Sequence, residues 1–395
     1  MVSVLFLPAV TPTLPVHSAE QKCGHTSGVW PVAERNARNA GQFIPLLAIV
    51  IQKIKIIKVN QMKKSDLLTA LEIVKPGLAN KEIVDQATSF AFIDGGVTTF
   101  NNEISISHPV TGVNIEGAIQ ASELYQFLKK VKVEEIEMET TDNEIILKAG
   151  RSRAGLIRQA EIKLPLKEIN EHKNWQPIPE HFLKAIEMTS GVCAQSVTKP
   201  IMNSVHICDK GYVEGSDNYR IMRHRIGKLP MKTFLIPSGS AKELLKLDLV
   251  EMAEGKGWVY FRSKTGTVIS CRMFADKYPN TDTFLKVTGT EITFPADIRE
   301  ILERAEIFCN STKIADDTVE ITLKSKRLLF SSKSDTGWFK ESVETDYNGA
   351  PITFLITPTL FRNILNETKS GVLSERFLKF QGVNWEYVGV LKVMP

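Results

Sequence analysis

From Lys53 onward, two hydrophobic patterns alternate along the chain. A short apolar run, KIKIIKVN over 53–60, reads as a strand and is followed by a helical stretch opening near Lys63-Lys64-Ser65-Asp66. In that stretch Leu67, Ala70, Leu71 and Val74 fall on one stripe, the spacing of an amphipathic helix that buries one face. The same strand-then-helix unit recurs five more times. VNIEGAI precedes ASELYQFLKKVK, WQPI precedes PEHFLKAIEMTSG, and KTFLI precedes PSGSAKELLKL. EITF then precedes PADIREILERAEIF, and PITFLI precedes TPTLFRNILNETK. Ser122, Pro179, Ser238, Pro295 and Pro358 stand where these helices begin, and such residues suit a helix start.

Equivalent apolar positions are Leu67, Leu124, Phe182, Leu244, Ile298 and Leu360, separated by 57, 58, 62, 54 and 62 residues. A period near 58, doubled to about 116, marks an internal repeat. Between helices, Glu135–Lys148, Trp258–Met273 and Glu320–Ser331 alternate apolar and polar residues and predict antiparallel strands. The prediction is an α+β chain of three tandem similar domains, each with two helices packed on antiparallel sheets. Boundaries fall near 172 and 288, giving domains over 53–172, 173–288 and 289–395. Residues 1–52 lack the pattern. Their apolar start mimics a secretory signal, but it has no basic flank and is broken by Pro8, Pro12 and Pro15. Phe43–Ile51 is too short to span a bilayer. The segment is expected to be an extra tail or a misassigned start, contributing nothing to the fold.

The most informative stretch is Lys199–Ile221, KPIMNSVHICDKGYVEGSDNYRI. Strands are predicted at Met202–Ile207 and Tyr212–Glu214 around the turn Asp209-Lys210-Gly211, followed by the polar turn Ser216–Arg220. The helix FLKAIEMTSGVCA, then KPIMNSVHI, then SDNYRI, in that order, resemble the bacterial and phage DNA sliding clamps, the family of the DNA polymerase III beta subunit. The resemblance extends more weakly from about Lys53 to the last residue. It implies a clamp-type fold forming half of a ring, closed as a homodimer in which domain 1 of one subunit meets domain 3 of the other. It also implies a processivity factor, not an enzyme, that encircles duplex DNA without reading sequence and tethers the replicative polymerase and the clamp loader through short linear peptides.

Composition adds little to this picture. A net charge of +4 is too slight to announce a nucleic-acid binder. The cysteines, Cys23, Cys193, Cys208, Cys271 and Cys309, are scattered and odd in number, so neither a disulfide framework nor a zinc site is predicted. His206 and Cys208 share a strand face and are expected to be packing. A reducing, cytoplasmic setting follows, with no membrane association and no cofactor. No Walker loop, GxSxG, HExxH or paired-carboxylate motif is present. Asp217 reads as a turn-capping carboxylate rather than a metal ligand.

Cations remain. Lys129, Lys130, Lys184, Lys242, Lys246, Arg304, Arg362 and Lys369 fall opposite the apolar stripes, where a solvated face and a phosphate-contacting face look alike in sequence. The resemblance favours phosphate contact, because clamp helices line the hole of the ring. Lys81, Lys199 and Lys313 follow the first helix of each domain at intervals of 118 and 114 residues, as rim contacts to duplex or as ordinary surface lysines. The resemblance further implies a peptide pocket between domains 2 and 3 formed by Met202, Asn218, Tyr219, Arg220, Ile221, Pro279 and Phe284, closed by Val393, Met394 and Pro395. Met202, Ile221 and Phe284 also fit plain core positions. Two rival readings stand beside the clamp: a nucleic-acid-processing enzyme with an unrecognised metal site, and a repeat scaffold that binds only proteins.

Overall fold

A computed structural model describes residues 59–169, 174–195, 200–309 and 318–391. The described residues belong to one compact unit. Six helices recur along it: α1 (Lys64–Val74), α2 (Ala121–Lys130), α3 (Phe182–Ser190), α4 (Ser238–Leu244), α5 (Ile298–Glu306) and α6 (Pro358–Glu367). A further helical turn covers Leu166–Ile169. Pro358 and Ser238 are the first residues of α6 and α4, and Ser122 is the second of α2. Pro179 and Pro295 sit three residues ahead of α3 and α5. Their carbonyls accept the first helical N–H groups, at 3.0 and 3.4 Å. None of the six helices has a side-chain cap from its own N-cap residue, although Glu134 accepts the Ser65 N–H of α1 at 2.9 Å, so burial of the apolar stripe is the main support of these short helices.

The buried stripes are the predicted ones. Leu67, Leu71, Leu124, Phe182 and Leu244 are fully buried, Ile298 nearly so, and Leu360 keeps 9% of its surface exposed. Helices pack in pairs, α1 with α2, α3 with α4 and α5 with α6, and each pair lies on antiparallel strands. Each fully buried Leu or Phe contributes about 1.5–3 kcal/mol by removing its surface from water. The approach of α3 to its sheet is close. A Cβ on Gly215 would stand 2.2 Å from the Thr189 carbonyl, so only glycine fits there.

The strands form sheets of twelve, eight and four, and every paired register is antiparallel. The alternating runs fold as hairpins: Glu135–Thr140 with Glu144–Ala149, Trp258–Ser263 with Val268–Arg272, and Val319–Lys324 with Arg327–Ser334. Two long-range pairings make the large sheets. Strand Ile104–Pro109 joins Val268–Arg272, with Ile106 opposite Ile269. Strand Arg220–Arg225 joins Trp385–Val390, with Ile221 opposite Val388. One core cluster runs through the first of these junctions, from Met62 to Cys271, and a second gathers α5, α6 and the strands around them. The chain therefore adopts an α+β fold of repeated helix pairs on antiparallel sheets, and no described helix is long and apolar enough to cross a membrane.

Replacing Phe182 by Ala should lower unfolding free energy by about 3–5 kcal/mol in urea titrations, as for other fully buried aromatics. Lys130→Ala, on the opposite face of a helix, should change it by less than about 0.5 kcal/mol.

Candidate partner and nucleic-acid interface

The hairpin predicted around Asp209-Lys210-Gly211 forms between strands Ser204–Cys208 and Tyr212–Ser216. Gly211 adopts a left-handed φ of 88°, and a Cβ there would collide with the Gly227 carbonyl. The next turn, Ser216–Arg220, is built around Asp217. One of its carboxylate oxygens accepts the N–H groups of Tyr219 and Arg220 at 3.0 and 3.1 Å, and the other accepts Nε of Arg220 at 2.8 Å. Asn218 takes the left-handed conformation at φ 77°, which asparagine tolerates better than most residues. Val390 N–H donates to the Tyr219 carbonyl at 2.7 Å, and Arg220 Nη1 donates to Thr357 Oγ1 at 3.3 Å. Asp217 is thus a turn-forming carboxylate, and the turn is tied to the sheet that follows.

This turn stands between two cavities. The larger, of about 1000 Å³, lies between α3 and α6 over Met188, Met222, Leu360 and Ile364. The smaller, of about 540 Å³, is bounded by Phe354, Leu355, Leu378, Val390 and Leu391. Asp217, Tyr219, Arg220 and Thr357 line both. The Tyr219 side chain is 72% exposed on a backbone whose N–H donates to Asp217 and whose carbonyl accepts from Val390.

Of the residues expected to form a peptide pocket, Asn218, Tyr219 and Arg220 line the larger cavity, and the other described ones do not. Ile221 is buried against Leu285 and Val388 and lines neither cavity. The cause is strand alternation: Arg220 and Met222 face the larger cavity, so Ile221 faces away. Met202, half-buried, and Pro279 and Phe284, both exposed, also line neither cavity. Val393, Met394 and Pro395 lie outside the described residues. Among the described residues, Val390 and Leu391 supply the wall nearest the chain's end. Sequence reading missed them, as it missed Met188, Thr357 and Leu360. Thr357 had a signal, since it directly precedes the Pro358 helix start; the others look like any core residue.

The segment carrying Pro279 and Phe284 is fastened by a buried ionic cluster. Glu214, 1% exposed, meets Arg223 Nε at 2.6 Å, His206 Nδ1 at 3.2 Å and the Thr281 hydroxyl. Arg223 also donates to Asp282 at 2.7 Å, and the His206 ring stacks on Tyr278 at 4.5 Å. His206 is therefore engaged by packing and a carboxylate partner, and Cys208 is a buried free thiol. Burial pushes the Glu214 carboxyl pKa up, but hydrogen bonds from His206 and Thr281 and the charge of Arg223 outweigh it and hold it below the ordinary value.

The predicted phosphate contacts divide into two groups. Lys129 pairs with Glu72 at 3.7 Å, Lys184 with Glu367 at 3.1 Å and Glu187 at 3.4 Å, and Lys246 with Glu243 at 2.7 Å. Arg304 forms a two-pronged contact with Glu341, and Arg362 reaches Glu303 and Glu306. Lys81, Lys130, Lys242 and Lys369 are exposed and form no ion pair with described residues. Lys199 and Lys313 lie outside the described residues.

Because its pKa is depressed in the fold, Glu214 contributes stability that is present above its unfolded value and is lost as pH falls through the folded one. Unfolding free energy should therefore drop as pH falls below about 4.5, the ordinary carboxyl value. Glu214→Gln should cost about 3 kcal/mol at neutral pH by leaving Arg223 undercompensated. It should also flatten that acid slope, which denaturant titrations from pH 7 to pH 3 would read out.

No protein-family model matches the sequence, and no curated protein matches it. Solved structures do match. The DNA polymerase III subunit beta of Pseudomonas aeruginosa superimposes with a TM-score of 0.69 at 17% identity, over 85% of this chain and 100% of that one. The DNA polymerase sliding clamp of Bacillus subtilis gives 0.69 at 20% identity, over 86% and 100%. The DNA polymerase III beta chain of Streptococcus pneumoniae gives 0.68 at 19%, over 85% and 100%. The fold of this chain is the fold of the DNA sliding clamps.

Proposed function

We propose that this chain is a sliding clamp: a cytoplasmic, non-catalytic processivity factor that closes as a homodimeric ring around duplex DNA and tethers a replicative polymerase. The observation that carries this reading is the clamp fold spanning the whole length of the matched structures. We place the domains at 53–172, 173–288 and 289–395. Clamp loader and polymerase would dock through short linear peptides at the Ser216–Arg220 turn, where Tyr219 offers an exposed aromatic and the flanking cavities offer apolar walls. Tethering raises the polymerase's effective concentration at the primer end, while weak, sequence-independent phosphate contacts leave the ring free to slide.

Two strand edges support the dimer. Strand Ser152–Gln159 pairs on one side along its length, but on the other only at Arg158 and Gln159. Strand Gly337–Glu344 is the edge of its sheet. Ile157 on the first and Trp338 on the second are 79% and 66% exposed. Exposed edges carrying large apolar side chains invite pairing with another chain, and one edge from each subunit, taken twice, closes a twofold ring.

Light scattering at micromolar concentration should report a dimer, and a stable monomer would overturn the ring. Retention on nicked circular duplex should weaken in the double variant Lys130→Glu/Lys242→Glu, whose lysines pair with no described carboxylate. Each lost phosphate contact should lower the salt slope by about 0.9. The same change at Lys129 and Lys246, which already pair with carboxylates, should have the smaller effect. Unchanged retention in the first variant would show that these helix faces do not meet DNA.

A further inference from the structure

The larger cavity holds chemistry that DNA contact does not use. Its floor is apolar, with Ile364 fully buried and Leu360 9% exposed beside half-buried Met188. Its rim is acidic. Glu187 and Glu367, on α3 and α6, share the single cation Lys184, at 3.4 and 3.1 Å, while the third carboxylate, Asp217, is consumed by its own turn and Arg220. Among the described residues that line the cavity, three carboxylates thus meet two cations, which leaves one negative charge over a greasy floor. A phosphate backbone would be repelled there. A peptide side chain of leucine size, with a lysine or arginine beside it, would satisfy both surfaces.

We infer that the cleft between α3 and α6 binds the basic flank of a linear partner peptide, continuing the docking groove past Tyr219. This rests on the reading that peptides dock at the Ser216–Arg220 turn. The continuity is structural: the two cavities share Tyr219, Arg220 and Thr357, so one extended segment can place an apolar anchor on each side of the tyrosine ring. Lys184 acts as the built-in competitor of the ligand's cation. It occupies the two carboxylates in the free protein and must yield one of them on binding. Its exposed position keeps that exchange inexpensive.

A displayed library of random linear peptides selected on the intact protein tests this. Selected sequences should carry apolar anchors with Lys or Arg at one flank. In anisotropy titrations of the best sequence, exchanging its basic flank for Glu should weaken binding about ten-fold, because two rim carboxylates then repel it. Glu187→Gln with Glu367→Gln should erase that difference. Lys184→Met should tighten the basic peptide about three-fold by releasing a partially screened carboxylate. Peptides that bind with no charge preference, or whose preference survives both glutamine changes, overturn the inference while leaving peptide docking intact. A library yielding no binder overturns the docking reading and this inference with it. A short oligonucleotide that displaces the peptide, more strongly in the glutamine variant, assigns the cleft to nucleic acid instead.

Discussion

The pairing of strand Arg220–Arg225 with Trp385–Val390 is the contact on which the candidate interface depends. Its partners stand far apart in sequence, yet their register places Arg220 opposite Gly389 and Ile221 opposite Val388. That register sends alternate side chains to opposite faces. Arg220 and Met222 turn toward the cleft, and Ile221 turns to a small core with Leu285 and Val388. A slip of one residue would exchange the two sets and close the groove with an arginine buried behind it. The Asp217 turn extends the same constraint. Its carboxylate spends its capacity on local N–H groups and Arg220, leaving the Tyr219 ring as the unfastened element at the boundary of both cavities.

The charged residues obey a second economy. Most helix cations opposite the apolar stripes are already met by carboxylates on neighbouring turns or strands. Such exposed pairs contribute little to stability and exchange readily with other anions. Under the proposed sliding function this arrangement is suitable, because a surface of bare lysines would grip the duplex. The Glu214 cluster is the opposite case. It is buried, multiply bonded and tied to Thr281 and Asp282, so it holds the segment after Tyr278 against the sheet. Losing one partner there strands the other without water, whereas losing one partner on the helix faces does not.

Much of the architecture was legible in the chain itself. The apolar spacing from Leu67 to Leu360 specified six helices and their buried faces, because a stripe at 3.6-residue spacing has only one way to leave water. The alternating runs specified hairpins, and the polar turn with Asp217 followed from local hydrogen-bonding chemistry. What only the tertiary structure decided was which of the apolar residues near that turn remain accessible. Met202, Ile221, Leu360, Val390 and Leu391 are chemically alike in sequence; sheet register and the docking of α6 beside α3 bury Ile221 and leave Val390 45% exposed. The same holds for charge. Lys129 and Lys130 are neighbours in sequence, but Glu72 reaches only the first, since the α1–α2 packing sets that distance. Local pattern fixes what each segment must bury, and long-range pairing alone decides which side chains are left to meet a partner.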